Sequence, residues 1–252
     1  MTEPLRSRAA IRGFYDDPTV VDTYLERRTT QPLNAVLHAR QVAFLNRALA
    51  RLAPERVLEL APGPGRLAAE VTQRPVMVGM DASPRMLAEA RRRTRARGLS
   101  WDLVRGDAFH LPFAGGSFDL VYGLRFVRHF DRAGRANLYG EIRRVLRPGG
   151  HLVLDAQNRL VAEPHRLARG LDRYPVYDEL WGREELVEEL RGAGLVPVEI
   201  EGLMRRFEWQ WRLNRLRRVR LGSVARVLIR ALELGPDDNP STWMLLCRSV
   251  SA

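Results

Sequence analysis

The 252-residue chain contains no lysine; all 41 of its basic side chains are arginine. Cys247 is its only cysteine, so no disulfide can form within the chain. No apolar run approaches the roughly 18 residues that a membrane-spanning helix needs. The polar, basic stretch from Met1 to Ala10 lacks the apolar segment of a secretory leader. Together these absences lead to the expectation of a cytoplasmic protein without a transmembrane segment. His110, His129 and His151 do not stand at metal-ligand spacing, so no metal is expected. Neither an internal repeat nor a low-complexity linker interrupts the chain.

What is present suits a packed α/β domain. Apolar residues make up 45% of the chain, enough for a sizeable core at this length. The formal net charge is +11. Such a surplus points to a polyanion, an anionic membrane or an acidic substrate. Arginine in place of lysine, with abundant Ala, Leu and Gly, reads equally as the imprint of a biased genome.

Short apolar runs at Val57–Leu60, Val76–Met80, Trp101–Arg105, Phe118–Tyr122 and His151–Asp155 read as strands, and helical patterns alternate with them. Crossovers of this length imply parallel strands with helices on both faces. Leu195–Ile200 and Thr242–Cys247 extend the pattern to seven strands. The fold class expected is therefore a Rossmann-like, doubly wound, mostly parallel seven-stranded sheet. Two helices precede the first strand, with Asp17 as an N-cap before Pro18, and a second start at Pro32. Between the last two strands, Gly202 to Pro240 reads as a basic amphipathic helix or helix pair.

The most telling stretch is Val57-Leu58-Glu59-Leu60-Ala61-Pro62-Gly63-Pro64-Gly65-Arg66-Leu67. It reads as a buried strand, a Gly/Pro turn and then helix from Leu67 to about Thr72. A turn of this kind cradles nucleotide-like ligands, because backbone without Cβ at Gly63 and Gly65 allows close approach. Glu59 is an acid inside a buried strand and needs a partner, which a cationic ligand can supply. Glu59, Asp81, Asp107 and Tyr122 lie at or just past strand ends, so a parallel sheet gathers them on one rim.

These segments resemble the class I S-adenosylmethionine-dependent methyltransferases, in particular the ubiquinone/menaquinone-type and small-molecule group. The resemblance rests on VLELAPGPGR at 57–66, VGMDASPRML at 78–87, GDAFHLPF at 106–113, SFDLVYGLRFVRHF at 117–130 and RVLRPGGHLVL at 144–154. It implies S-adenosylmethionine as cofactor, S-adenosylhomocysteine as product, and no metal. By the same resemblance Glu59, Ala61, Gly63 and Gly65 line the methionine portion and the sulfonium. Asp81, followed by Ala82, takes the ribose hydroxyls, and Met86 packs near the adenine. Within Gly106-Asp107-Ala108-Phe109, Asp107 accepts from the adenine amino group beside the Ala108 amide. Tyr122 and Gly123 flank the sulfonium. Ala61 stands where the family commonly has glycine, and Pro62 and Pro64 stiffen the turn. An NAD-linked Rossmann enzyme shares the loose glycine spacing, but Glu59 and the RVLRPGG segment do not belong to that pattern.

The expected plan is a single methyltransferase domain over 1–252. It comprises a helical cap at 1–53, a cofactor-binding core at 54–155, and a substrate-side half at 156–252 with a helical insertion at about 202–240. His129, after the fourth strand, is the candidate general base, with a surface or capping histidine as the plain reading. Arg125 matches an arginine of the quinone methyltransferases; Arg125 and Arg128 carry forks suited to a carboxylate or phosphate, or to structural salt bridges. Tyr15, Tyr24, Arg27 and Arg28 are candidates to close over the site, and Trp209 and Trp211 to form a wall or lid. The expected acceptor is an oxygen, nitrogen or carbon of a small aromatic or acidic metabolite. The alternative is an RNA methyltransferase using the arginines of 91–97 and 205–230. The sequence leaves monomer and homodimer equally open.

Overall fold

The computed structural model describes residues 3–72, 76–235 and 239–250. Three helices come first: α1 (Arg8–Asp16), α2 (Pro18–Thr29) and α3 (Pro32–Leu52). Asp17 caps α2 by accepting from the amides of Thr19 and Val20, with Pro18 in the first turn. The core then alternates: β1 (Arg56–Leu60), β2 (Val76–Asp81), α4 (Pro84–Ala96), β3 (Asp102–Arg105), β4 (Phe118–Gly123), α5 (Arg132–Val145) and β5 (Leu146–Gln157). After it come α6 (Arg159–Arg169), α7 (Arg183–Gly192), β6 (Leu195–Leu203), α8 (Phe207–Leu213), α9 (Gly222–Leu232) and β7 (Thr242–Ser249).

The seven strands form one sheet in the order β3-β2-β1-β4-β5-β7-β6. The first five run parallel, and β7 lies antiparallel between β5 and β6. The expected seven-stranded, mostly parallel sheet and the helical insertion between the last two strands are both present. Two expectations differ. Three helices rather than two precede β1, because α1 ends at Asp16 before the Asp17–Pro18 start of α2. The helix expected from Leu67 to about Thr72 is only a short 3-10 turn at Ala68–Glu70. The stretch after β5 holds α6, capped by Asn158 and carrying Pro164 inside it.

Alternation along the strands divides the core into two layers. Leu58, Leu60 and Val121 face Leu138, Ile142 and Val145 of α5 and Leu186 and Leu190 of α7. Val57, Leu120 and Tyr122 face Phe44, Leu45 and Leu49 of α3 and Ala225 and Ile229 of α9. Burial of each such side chain contributes about 1.5–3 kcal/mol. Because Glu59 and Tyr122 are register partners across β1 and β4, they point into the same layer.

That pairing answers the question of the acid in the strand. Glu59 is 2% exposed, and the Tyr122 hydroxyl donates to its Oε2 at 2.9 Å. Burial pushes the Glu59 carboxyl up to about 8, although Tyr122 and Arg66 pull it down. An unfolded chain releases that proton near pH 4.5. Between those two values the folded state binds a proton that the unfolded state does not, so this group's contribution to stability falls as pH rises. Glu59→Gln keeps an acceptor for Tyr122 and removes the titration. Thermal melts of the two proteins should converge at pH 4.5, and at pH 8 the variant should be more stable by about 2–4 kcal/mol. Parallel pH profiles would show that Glu59 is ionised in the folded protein.

Candidate functional site

The carboxyl ends of β1 to β4 open into a cavity of about 550 Å³. The turn after β1 supplies Ala61 and Gly63, both with positive φ, 52° and 54° respectively. A Cβ on Gly63 would meet nothing nearer than the Met86 Sδ at 4.0 Å, so this backbone is bare toward the cavity. The end of β2 supplies Asp81, followed by Ala82 and Ser83, and α4 supplies Met86. Gly106, Asp107, Ala108 and Phe109 follow β3, and Leu124, Arg125, Phe126, His129 and Phe130 follow β4.

Asp81 is held from both sides. Its Oδ2 accepts from the Gly63 amide at 3.0 Å and its Oδ1 from the Ser83 amide at 2.9 Å. Burial raises the Asp81 carboxyl above its ordinary value, and these amides oppose the shift. Each oxygen retains acceptor capacity toward the cavity, the arrangement that a pair of ribose hydroxyls requires. Asp107 is more exposed and accepts from the Phe109 amide at 3.0 Å.

Four of the expected cofactor residues do not line this cavity. Glu59 and Tyr122 bind each other in the layer beneath α3. Gly65 serves packing: a Cβ there would stand 3.1 Å from the Ala90 backbone of α4. Gly123 is closed in by Leu60, 3.3 Å from where its Cβ would be. These four shape the wall from behind.

The roof comes from α1, through Arg8, Ile11, Arg12 and Tyr15, and from Tyr24 of α2. Of these the sequence reading found only the tyrosines. The periodic apolar pattern of 11–15 was the signal for Ile11; nothing marked Arg8 or Arg12. The roof is latched at Ser83, whose hydroxyl donates to Asp16 Oδ1 at 2.6 Å.

A second cavity, of about 520 Å³, adjoins the first and shares Tyr15, Tyr24, Arg125 and His129 with it. Its further walls include Arg28 and Arg128, Arg166 of α6, and Phe207 and Trp211 of α8. Trp211 packs against His165 at 4.7 Å, whereas Trp209 is 60% exposed on the outer side, beneath Arg212, and lines neither cavity. Trp209 is therefore corrected as a wall residue: α8 turns it away by two positions. The side chain of Arg27 lies outside the described residues.

His129 is 6% exposed between the two cavities. Its Nδ1 lies 2.9 Å from the Tyr177 carbonyl oxygen and 3.0 Å from Asp178 Oδ1. Both neighbours accept only, so Nδ1 carries a proton, and in the uncharged form of the ring the lone pair stands at Nε2. The Tyr15 hydroxyl sits 3.1 Å from that Nε2. Sequence reading missed Asp178, which lies 49 positions away in an irregular segment. Among the described residues no cluster of His, Cys, Asp or Glu could hold a metal ion.

A family model described as a methyltransferase domain matches residues 57–150. Residues 57–150 are thus a methyltransferase domain by this match. Demethylmenaquinone methyltransferase from Thermus thermophilus is 44% identical over 108 residues, 40% of this chain and 47% of its own length. Methyltransferase GfsG from Streptomyces halstedii is 32% identical over 150 residues, 56% of this chain and 48% of its own. The chain thus spans about half the length of these curated relatives. Among solved structures, magnesium protoporphyrin IX methyltransferase from Synechocystis, with bound S-adenosylhomocysteine, aligns with a TM-score of 0.65 and 14% identity. That alignment covers 97% of this chain and 100% of the other, a likeness of fold.

S-adenosylmethionine is the methyl donor of this domain family, and the first cavity meets its chemistry. It offers a bare glycine backbone at Gly63, a fixed carboxylate at Asp81 and apolar walls at Met86 and Phe109. Replacing Asp81 removes two charge-assisted acceptors, each worth about 1.5–3 kcal/mol. Titration calorimetry of Asp81→Ala with S-adenosylhomocysteine should therefore show affinity at least a hundredfold weaker. Tyr122→Phe, which lies outside the cavity, should change it by less than about threefold. An unchanged affinity in Asp81→Ala would remove this aspartate from the cofactor site.

Proposed function

We propose that the chain transfers a methyl group from S-adenosylmethionine to a small-molecule acceptor held in the second cavity. The observation that carries this reading is the shared wall: Tyr15, Tyr24, Arg125 and His129 face both cavities, so donor and acceptor meet across it. In this reading Asp81 takes the ribose hydroxyls, Met86 and Phe109 flank the adenine, Asp107 and the Ala108 amide face its amino edge, and Ala61 and Gly63 border the methionine chain. The bound sulfonium supplies an electrophilic methyl group for an in-line displacement. The chain's own task is to align the acceptor and to take its proton.

His129 is suited to that second task. Its tautomer is set by Tyr177 and Asp178, which leaves Nε2 as the acceptor, reached through the Tyr15 hydroxyl. As the acceptor atom forms its bond to the methyl carbon, the carbon–sulfur bond breaks. The acceptor proton passes to the Tyr15 oxygen while the Tyr15 proton passes to Nε2. Burial and the nearby Tyr24 raise the Tyr15 hydroxyl to about 12, so Tyr15 serves as a conduit that never carries a full charge. The acceptor atom is then an oxygen, a nitrogen or an acidic carbon.

An RNA acceptor fits less well. The second cavity is framed by α1, α2, α6 and α8 and has room for a small molecule rather than a strand. Arginines of the proposed polyanion surface are also partly engaged: Arg92 pairs with Glu89, and Arg205 binds the carbonyls of Gly202 and Gly235.

Incubation with methyl-labelled cofactor and a bacterial extract, followed by mass spectrometry, should reveal a labelled small molecule that Asp81→Ala fails to make. Label found only in RNA would support the alternative, and no label would count against catalysis. With the acceptor so identified, His129→Gln and Tyr15→Phe should each lower kcat about 10²–10⁴-fold at unchanged cofactor KM. Wild-type turnover in both would remove the relay from the mechanism.

A further inference from the structure

Six arginines line the second cavity: Arg28, Arg125, Arg128, Arg166, Arg169 and Arg173. Against them, among the described residues, stands one carboxylate, Asp178. It is already shared, lying 3.0 Å from Arg128, 3.0 Å from His129 and 2.8 Å from Arg166. The cavity is therefore strongly positive after every internal pairing is counted.

Arg125 is the sharpest case. Its Nε is buried without a hydrogen-bond partner, and it joins none of the ion pairs among the described residues. The acid that acts on it, Asp155, has other partners: it accepts from the Arg125 backbone amide through Oδ1 and from Gln41 Nε2 through Oδ2, at 3.1 Å. That backbone bond holds Arg125 at φ 62°, a left-handed conformation costly for a side chain of this kind. Burial, with Arg128 and Arg28 close by, pulls the guanidinium down to about 9. Tyr24 senses the same field. Burial alone would raise its hydroxyl, yet Arg28, Arg125, Arg66 and Arg128 bring it below its usual value. An unpaired buried cation is among the most costly features a fold can retain.

The geometry points to an oxyanion as the missing partner. The second cavity binds an acceptor that carries a carboxylate or phosphate, with Arg125 as its ligand at the wall shared with the cofactor cavity. This rests on the methyltransferase reading above and names the acceptor's class. The other walls match an aromatic or similarly flat body, since Phe14, Tyr174, Phe207 and Trp211 face the same space. A planar guanidinium grips either oxyanion with two parallel hydrogen bonds. A donor carboxylate from the cofactor is the one rival occupant, and competition separates the two.

The test is calorimetry on the full chain saturated with S-adenosylhomocysteine, with 4-hydroxybenzoate, phenyl phosphate and the neutral 4-hydroxybenzamide as probes. Binding of the carboxylate or the phosphate at least tenfold tighter than the amide is expected, and the tighter of the two names the oxyanion. Arg125→Met should remove most of that preference and should raise the melting temperature of the free protein, because an uncompensated charge is gone. Arg28→Gln, at the rim, should weaken binding less. Equal binding of acid and amide would overturn the proposal, as would absence of binding or displacement of S-adenosylhomocysteine by the acid. The comparison of acid with amide uses the wild-type chain, so it stands even if a variant misfolds. If S-adenosylhomocysteine itself does not bind, the methyltransferase reading fails, while titration of the free protein still reports whether the cavity takes an oxyanion.

Discussion

The Asp81 carboxylate ties together the parts on which the site depends. One oxygen takes the Gly63 amide from the turn after β1, and the other takes the Ser83 amide from the turn after β2. Ser83 then anchors Asp16, and with it the helix that roofs the cavity. The Ser83 hydroxyl also accepts from the Met86 amide and so starts α4. Two turns, a helix start and a roof are thus referred to a single half-buried carboxylate. A buried carboxylate persists only when its oxygens are met by donors, and here backbone amides meet it without neutralising its charge. The same satisfaction leaves outward lone pairs directed at whatever occupies the cavity.

The second organising constraint is an imbalance of charge. Several arginines of this chain are answered by acids. Arg135 lies between Glu179 and Glu189, which keep it charged, and Arg40 and Arg47 meet on Glu201. Around Tyr24 and the second cavity the answering acids run out. Asp178 is shared among Arg128, His129 and Arg166, Asp155 accepts from the Arg125 amide and from Gln41, and the Arg125 guanidinium joins no ion pair among the described residues. The fold bears this cost in the wall common to both cavities, where a local loss of stability is most often tied to function.

Much of the core was legible. The register of a parallel sheet requires residues after β1, β2, β3 and β4 to share a rim, and alternation of strands and helices in the sequence sufficed to place Asp81 and Asp107 there, whereas Glu59 and Tyr122, expected on the same rim, lie behind it. The cap at Asp17 was legible for a local reason: a short acceptor side chain followed by proline is a common helix start. Glu59 was misjudged for the opposite reason. Its oddness was visible, but its partner depends on register across β1 and β4, and Tyr122 lies 63 positions away. Gly65 looked like a ligand contact and proved to be a helix contact, since the same missing Cβ serves both.

The sequence by itself determined the layered α/β fold, the rim at the carboxyl ends of the strands and the surplus of arginine. These follow from periodicity, from turn chemistry and from counting, all of which act over short spans of chain. The tertiary structure alone decided that the Arg125 Nε is buried without a partner, that His129 Nδ1 faces acceptors, and that Trp211 rather than Trp209 faces the second cavity. Each of those depends on distances between side chains remote in sequence. Pairing of charges and the hydrogen bonds of an imidazole act over a few ångströms in space, and only the folded chain sets those separations.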